Sequence, residues 1–235
     1  KRKRRIKLSP HRSRVKQSMN ERERWNAQVR EEIIDPERPI FDPHHHLWRA
    51  DMPYEIGGLW ADTQTGHNIV GTVFIECGAE YRTEGPRHLR PVGETEFVRA
   101  QAEQSQKGTK PGKPPILGMV CHADLTLGAQ VDEVLQAHAA AAGGLLRGIR
   151  HSTAFYPDPP AVDRYAGRIE KLMMRDDFRE GFARLAPLNL TFDAWLLHSQ
   201  ITELTDLSRA FPEPTIVFDY FRGSLCIARY AVYHP

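Results

Sequence analysis

Asp42-Pro43-His44-His45-His46 follows the apolar run Pro39-Ile40-Phe41 and precedes Leu47-Trp48. In an extended chain alternate side chains share a face, so His44 and His46 point together while His45 points the other way. Two imidazoles at a strand end, with an acid two positions earlier, suit a divalent metal such as zinc or manganese. Such an ion polarises a carbonyl and lowers the pKa of a bound water. The apolar residues on both sides set this run apart from a terminal tag of histidines.

Further reactive side chains recur at the ends of apolar runs. Glu76 closes Thr72–Cys77, His122 and Asp124 follow Ile116–Val120, and Arg150 and His151 close Leu146–His151. His198 follows Leu190–Trp195, and Asp219 closes Thr215–Asp219. Arg150 offers different chemistry from the histidines. Its planar guanidinium is always charged and holds a carboxylate through two parallel hydrogen bonds, which points to an acidic or polyoxygenated small-molecule substrate. Taken singly, Glu76, His122, His151 and Asp219 are equally well read as hydrogen-bonded structural groups.

These runs, with Ile40–Asp42, make six expected strands. Between them, Val131, Val134, Leu135 and His138 keep helical spacing and Gly143-Gly144 is a stop. Tyr165, Ile169 and Leu172 mark a second helix capped by Asp163, continued by Phe178, Phe182 and Leu185. Ile201, Leu204 and Leu207 mark a third, opened by Ser199 and closed before Pro212. A polar helix is expected over Glu21 to Glu32, with Trp25 and Val29 on one packing face. Arg82 to Pro115 reads as irregular, with Lys107–Pro115 an exposed loop. Strands alternating with helices predict an α/β fold with a parallel sheet whose carboxyl ends open on one face, where all six runs deliver their polar residues.

The 235 residues are 40% hydrophobic, enough for a sizeable core. No apolar run is long enough to span a membrane, no secretory leader is evident, and a cytoplasmic location is expected. Cys77, Cys121 and Cys226 are odd in number and widely spaced, which predicts reduced, mostly buried thiols. The formal charge of +2 hides an asymmetry, because residues 1–16 carry nine Lys or Arg and no acid. Without them 23 basic residues face 30 acidic ones, which argues against a nucleic-acid-binding body. The expected organisation is a basic disordered extension over 1–18, with translation starting at Met19, followed by one domain over 19–235. No glycine-rich phosphate loop follows a strand, so no nucleotide cofactor is indicated.

The segments IFDPHHHLW, TVFIECGAEYRTEGP, VGETEFV, ILGMVCHADL, GGLLRGIRHS, LTFDAWLLHSQITELTDLSRAFP and TIVFD resemble, in order and spacing, the amidohydrolase-related family of metal-dependent hydrolases. The similarity covers most of residues 25–220. It implies a TIM-barrel-type (β/α) fold and a hydrolase, with the opening of a lactone of a carboxylated or sugar-derived compound as the favoured reaction. A non-oxidative aromatic-acid decarboxylase is the alternative within the same superfamily. Carried onto this chain, the resemblance makes His44 and His46 the first-strand pair and His198 the histidine after strand five, together the catalytic and metal-binding set. Arg150, with Glu76 and Tyr220, becomes substrate-binding. Some lactonases of the family work without a metal, so the implied cofactor is a divalent metal or none.

Two departures accompany the resemblance. Where the family continues strand six as Asp-His-x-Gly, this chain has Asp219-Tyr220-Phe221-Arg222-Gly223, and a phenol with a pKa near 10 does not substitute for imidazole as a neutral-pH base. The sequence also stops at Pro235, before the last two βα units and the strand-eight aspartate that serves the family as general base. The expectation is an incomplete barrel of about six strands, prone to self-association through its open edges, with an inactive remnant or binding module as the competing reading.

Overall fold

The structure, a computed structural model, describes residues 24–25, 28–29, 31–50, 53–156 and 168–219. The basic stretch 1–18, the helix positions Asp163 and Tyr165, and Tyr220 and Cys226 lie outside them. The chain divides into two units, 1–34 and 35–235. In the first, Arg24 and Trp25 are helical, and Trp25 and Val29 are exposed.

Among the described residues of the second unit six strands form one sheet in the order β1 to β6, every neighbouring pair parallel. They are β1 (Pro39–His45), β2 (Asn68–Ile75), β3 (Ile116–His122), β4 (Leu146–Arg150), β5 (Thr191–Ala194) and β6 (Ile216–Phe218). The helices are α1 (Ile56–Thr63), α2 (Val92–Lys107), α3 (Val131–Ala142), α4 (Asp176–Ala183) and α5 (Ile201–Ala210). Parallel neighbours in sequence order, joined by segments that contain these helices, curl into a half-barrel. The expected incomplete TIM-barrel-type α/β architecture is thus observed.

One apolar layer holds the helices to the sheet. Phe74, Met119, Ile149 and Phe192 from the strands pack with Val134, Leu135, Phe178, Phe182 and Leu207 from the helices, all essentially buried. Each such side chain contributes about 1.5–3 kcal/mol on burial. The Phe178 and Phe182 rings both meet Phe192 edge-on, with centroids 6.1 and 5.3 Å away, the geometry that ring quadrupoles favour. Gly143 ends α3 in the left-handed region at φ 58°, a conformation that costs glycine little.

Three expectations are corrected. Residues 92–107, read as irregular, form the longest described helix. Its buried face runs through Thr95, Gln101 and Ser105 as well as Val98 and Ala102, so polar residues broke the apolar period that marks a helix. Ile169 is exposed and outside any helix, and Leu172 lies in a short 3-10 turn, Leu172–Met174. Cys77 is exposed while Cys121 is buried.

Candidate functional site

Strand register places the reactive residues. His122, Arg150 and Asp193 are direct neighbours across β3, β4 and β5, and Asp219 follows β6 directly. The polar groups at the carboxyl ends therefore meet at one rim of the half-barrel.

Arg150 is the hub of that rim. It is 7% exposed, and its Nε donates to Glu76 Oε1 at 2.7 Å. Its Nη2 donates to the Glu76 carbonyl, and its Nη1 lies 3.4 Å from Asp219 Oδ2. A buried guanidinium needs such partners, because an unpaired charge in the interior is strongly unfavourable. Contacts with described residues engage three of its five N–H donors, so capacity remains for a substrate oxygen.

Asp219 also faces His44, with Oδ1 3.8 Å from Nδ1. Burial pulls the His44 pKa below 6.5 against the opposing pull of Asp219, so the ring is neutral near pH 7. The His44 and His46 rings meet edge-on at 5.0 Å. His46 Nδ1 lies 2.7 Å from the Ile75 carbonyl. A carbonyl only accepts, so Nδ1 carries a proton. His45 points to the opposite side, as alternation requires. It is buried against Phe74 with Nε2 3.1 Å from Thr72 Oγ1, and burial pulls its pKa down to about 4.

A second pair of imidazoles adjoins Arg150, through its strand partner His122 and its chain neighbour His151. The His122 and His151 rings are 5.5 Å apart. His122 Nδ1 donates to the Arg150 carbonyl at 3.1 Å. His151 Nδ1 accepts from the Leu125 N–H at 3.2 Å, so its proton is on Nε2. Behind β3, His138 Nε2 donates to the His122 carbonyl at 2.9 Å and Nδ1 accepts from Thr95 Oγ1 at 2.8 Å. Burial holds His138 neutral, with a pKa pulled down to about 4.

Three groups enter the picture that the sequence did not single out. Asp193 is 4% exposed, and burial followed by the nearby Asp219 charge pushes its carboxyl up to about 7. Glu94 is 2% exposed, and its Oε1 accepts from the backbone N–H of Cys77 at 3.1 Å and Ala79 at 2.7 Å, fixing the loop after β2. Arg168 joins Arg150 in lining a cavity of about 350 Å³ with Glu76, Tyr81, His122 and Trp195. An acid between Phe192 and Ala194 was the available signal for Asp193, since alternation puts it on the face opposite those apolar neighbours.

His198 opens a 3-10 turn, His198–Gln200, directly before α5 and is half-buried. Gln200 of the same turn ties the loop after β4 to the loop after β5, donating from Nε2 to the Phe155 carbonyl at 3.0 Å and accepting the Leu197 N–H at 3.0 Å. Among the described residues no three His, Cys, Asp or Glu side chains are grouped to hold a metal ion. His44, His46 and His198 therefore do not assemble into a ligand set here. The positive charge beside Asp219 is instead the Arg150 guanidinium, which repels a cation placed there.

A family model described as amidohydrolase matches residues 41–221 of this chain. The uncharacterized protein y4mH of Sinorhizobium fredii is 27% identical over 203 residues, 77% of this chain and 61% of that protein. A zinc-bound amidohydrolase crystal structure from Burkholderia multivorans superposes with a TM-score of 0.51 at 17% identity, covering 76% of this chain and 56% of that one. Amidohydrolase 2 from Bifidobacterium longum subsp. infantis superposes at 0.49 and 16%, covering 82% and 66%. At 17% identity the likeness to the Burkholderia structure is one of fold. The chain spans about 61% of the length of the curated relative it matches, and no described helix is long and apolar enough to cross a membrane.

Proposed function

Because the chain belongs to the amidohydrolase family, we propose that it is a hydrolase whose rim opens the lactone of a small carboxylated or sugar-derived substrate. The observation that carries this reading is the Arg150 hub. A guanidinium held by Glu76 and Asp219 keeps donors in reserve and shares a cavity with Arg168. That chemistry recognises an acidic ring compound.

In this reading His44, neutral near pH 7 and faced by Asp219, takes a proton from water as its oxygen attacks the lactone carbonyl carbon. The carbonyl oxygen gains the electron pair, and the remaining Arg150 donors stabilise that charge. The tetrahedral species then collapses, the ring C–O bond breaks, and the leaving oxygen takes the proton back from His44. One water is consumed and a hydroxy acid is formed. His46, oriented by the Ile75 carbonyl, and His198 complete the proposed catalytic set, and Tyr220 with Glu76 the substrate-binding one. A divalent metal, where the whole protein binds one, would add carbonyl polarisation. The described residues do not group as its ligands, and no step depends on it. A cytoplasmic site of action belongs to the same reading.

The test is a pH-stat assay of carboxylated and sugar lactones with the wild-type chain and its Arg150→Gln and His44→Asn variants, with carbon dioxide measured in parallel. Acid release that falls at least a hundredfold in both variants supports the reading. Carbon dioxide without lactone opening replaces it with a decarboxylase.

A further inference from the structure

A larger cavity, of about 670 Å³, is lined by Tyr81 and His122 together with Arg87, Arg90 and Leu127. The Tyr81 and His122 rings stack with centroids 6.4 Å apart and planes 21° apart. Both rings also border the Arg150 cavity, so the two cavities have the stack in common.

The outer cavity is built differently from the inner one. Arg150 is neutralised by two acids, whereas neither Arg87 nor Arg90 has an acidic partner among the described residues. The polar contact of the Arg90 guanidinium is with the Gly85 carbonyl, at 3.4 Å. Both ride on a fixed turn. Arg87–Leu89 is a 3-10 turn, and the Arg90 carbonyl accepts the Arg82 N–H at 2.9 Å. His88, on the same turn, is held 3.0 Å from Glu133. One carboxylate, Asp124, also borders the cavity, tied down by the Thr126 N–H at 3.0 Å and hydroxyl at 2.6 Å. Two unneutralised guanidiniums thus face one carboxylate engaged elsewhere, in a space the size of a small-molecule site.

We propose that this outer cavity is a binding site for a small molecule bearing an oxyanion head group, phosphate or carboxylate, distinct from the hydrolytic site. Arg87 and Arg90 hold the head group, because planar guanidiniums match both oxyanions bidentately. Tyr81 and Leu127 supply the apolar wall for the body of the ligand. The site goes beyond the lactone reading and does not depend on it.

The experiment is calorimetric titration of the full chain with inorganic phosphate and, separately, citrate, at low ionic strength and again at about 0.15 M salt, where screening shortens to roughly 8 Å. Saturable binding of either probe is expected, weakening at the higher salt. It is expected to weaken at least tenfold in Arg87→Gln/Arg90→Gln and to stay within twofold in Lys110→Gln, an exposed change that lines neither cavity. The more tightly held probe identifies the head group. Arg87→Gln alone, an exposed change that leaves the turn intact, is expected to weaken binding about threefold. No saturable binding of either probe, or equal affinity in the wild type and the double variant, overturns the site. Because the readout is binding, a failure of lactone hydrolysis leaves this result standing, and the converse also holds.

Discussion

Arg150 Nε lies 2.7 Å from Glu76 Oε1 across 74 residues of chain, with both side chains mostly buried. Replacing the acid by its neutral isostere leaves the guanidinium with Asp219 as its one acidic partner among the described residues. Glu76→Gln is expected to lower the unfolding free energy by about 3 kcal/mol, the loss typical when one partner of a buried ion pair is removed. Urea denaturation checks this, and a change under 0.5 kcal/mol would show that solvent already screens the pair.

His138 gives an acid-side signature. Its pKa is about 4 in the folded chain against 6.5 in the unfolded one. As the pH falls from 6.5 to 4 the unfolded state takes up a proton that the folded state refuses, and stability declines by roughly 1.4 kcal/mol per pH unit from this group. His138→Gln keeps a donor for the His122 carbonyl without the titration. The variant is expected to be less stable than the wild type at pH 7.5, with the gap narrowing on acidification to pH 4.5. A gap that stays constant between these pH values would sink the assignment.

Asp193 works in the opposite sense. A carboxyl raised to about 7 keeps its proton in the fold after the unfolded chain has lost it, so its contribution falls as the pH rises from about 4 to about 7. Asp193→Asn removes that loss and is expected to gain on the wild type across this window. Paired melting curves at pH 5 and pH 7.5 measure it, and an advantage that shrinks toward pH 7.5 contradicts the prediction.

Gly148 lies where β4 meets β5. A Cβ there would stand 2.1 Å from Thr191 Oγ1 and 2.9 Å from the Thr191 carbonyl. Gly148→Ala is expected to cost about 1–3 kcal/mol as the strands are forced apart. Adding Thr191→Ala should restore part of this, since it removes the hydroxyl but not the carbonyl. Full rescue would show that the backbone approach is not limiting.

The sheet was legible in the sequence because its strands are short apolar runs between turn residues, and all six lie where those runs predict. Alternation in β1 put His44 and His46 together and His45 apart, as observed. What escaped was polar burial. Thr95 and Gln101 on the inner face of α2 disguised a helix as a loop, and Glu94, whose carboxyl fixes the loop after β2, read as one more surface acid. Periodicity reports which side chains avoid water, whereas buried polar groups are specified by partners far away in sequence. Arg150 illustrates this. Its chemistry was apparent from residue type, but its two anchors depend on a register that only the folded sheet defines.

The sequential order of the strands has a consequence for synthesis. Each strand pairs only with its neighbours in the chain, so the sheet can be laid down from β1 onward as the polypeptide leaves the ribosome, each βα segment docking on the last. The rim does not follow that schedule. The Glu76 anchor is in place early, but the Asp219 contact spans 69 residues and waits for β6. During that interval Arg150 has only one of its two acidic partners, so this charge cluster closes only once β6 has joined the sheet.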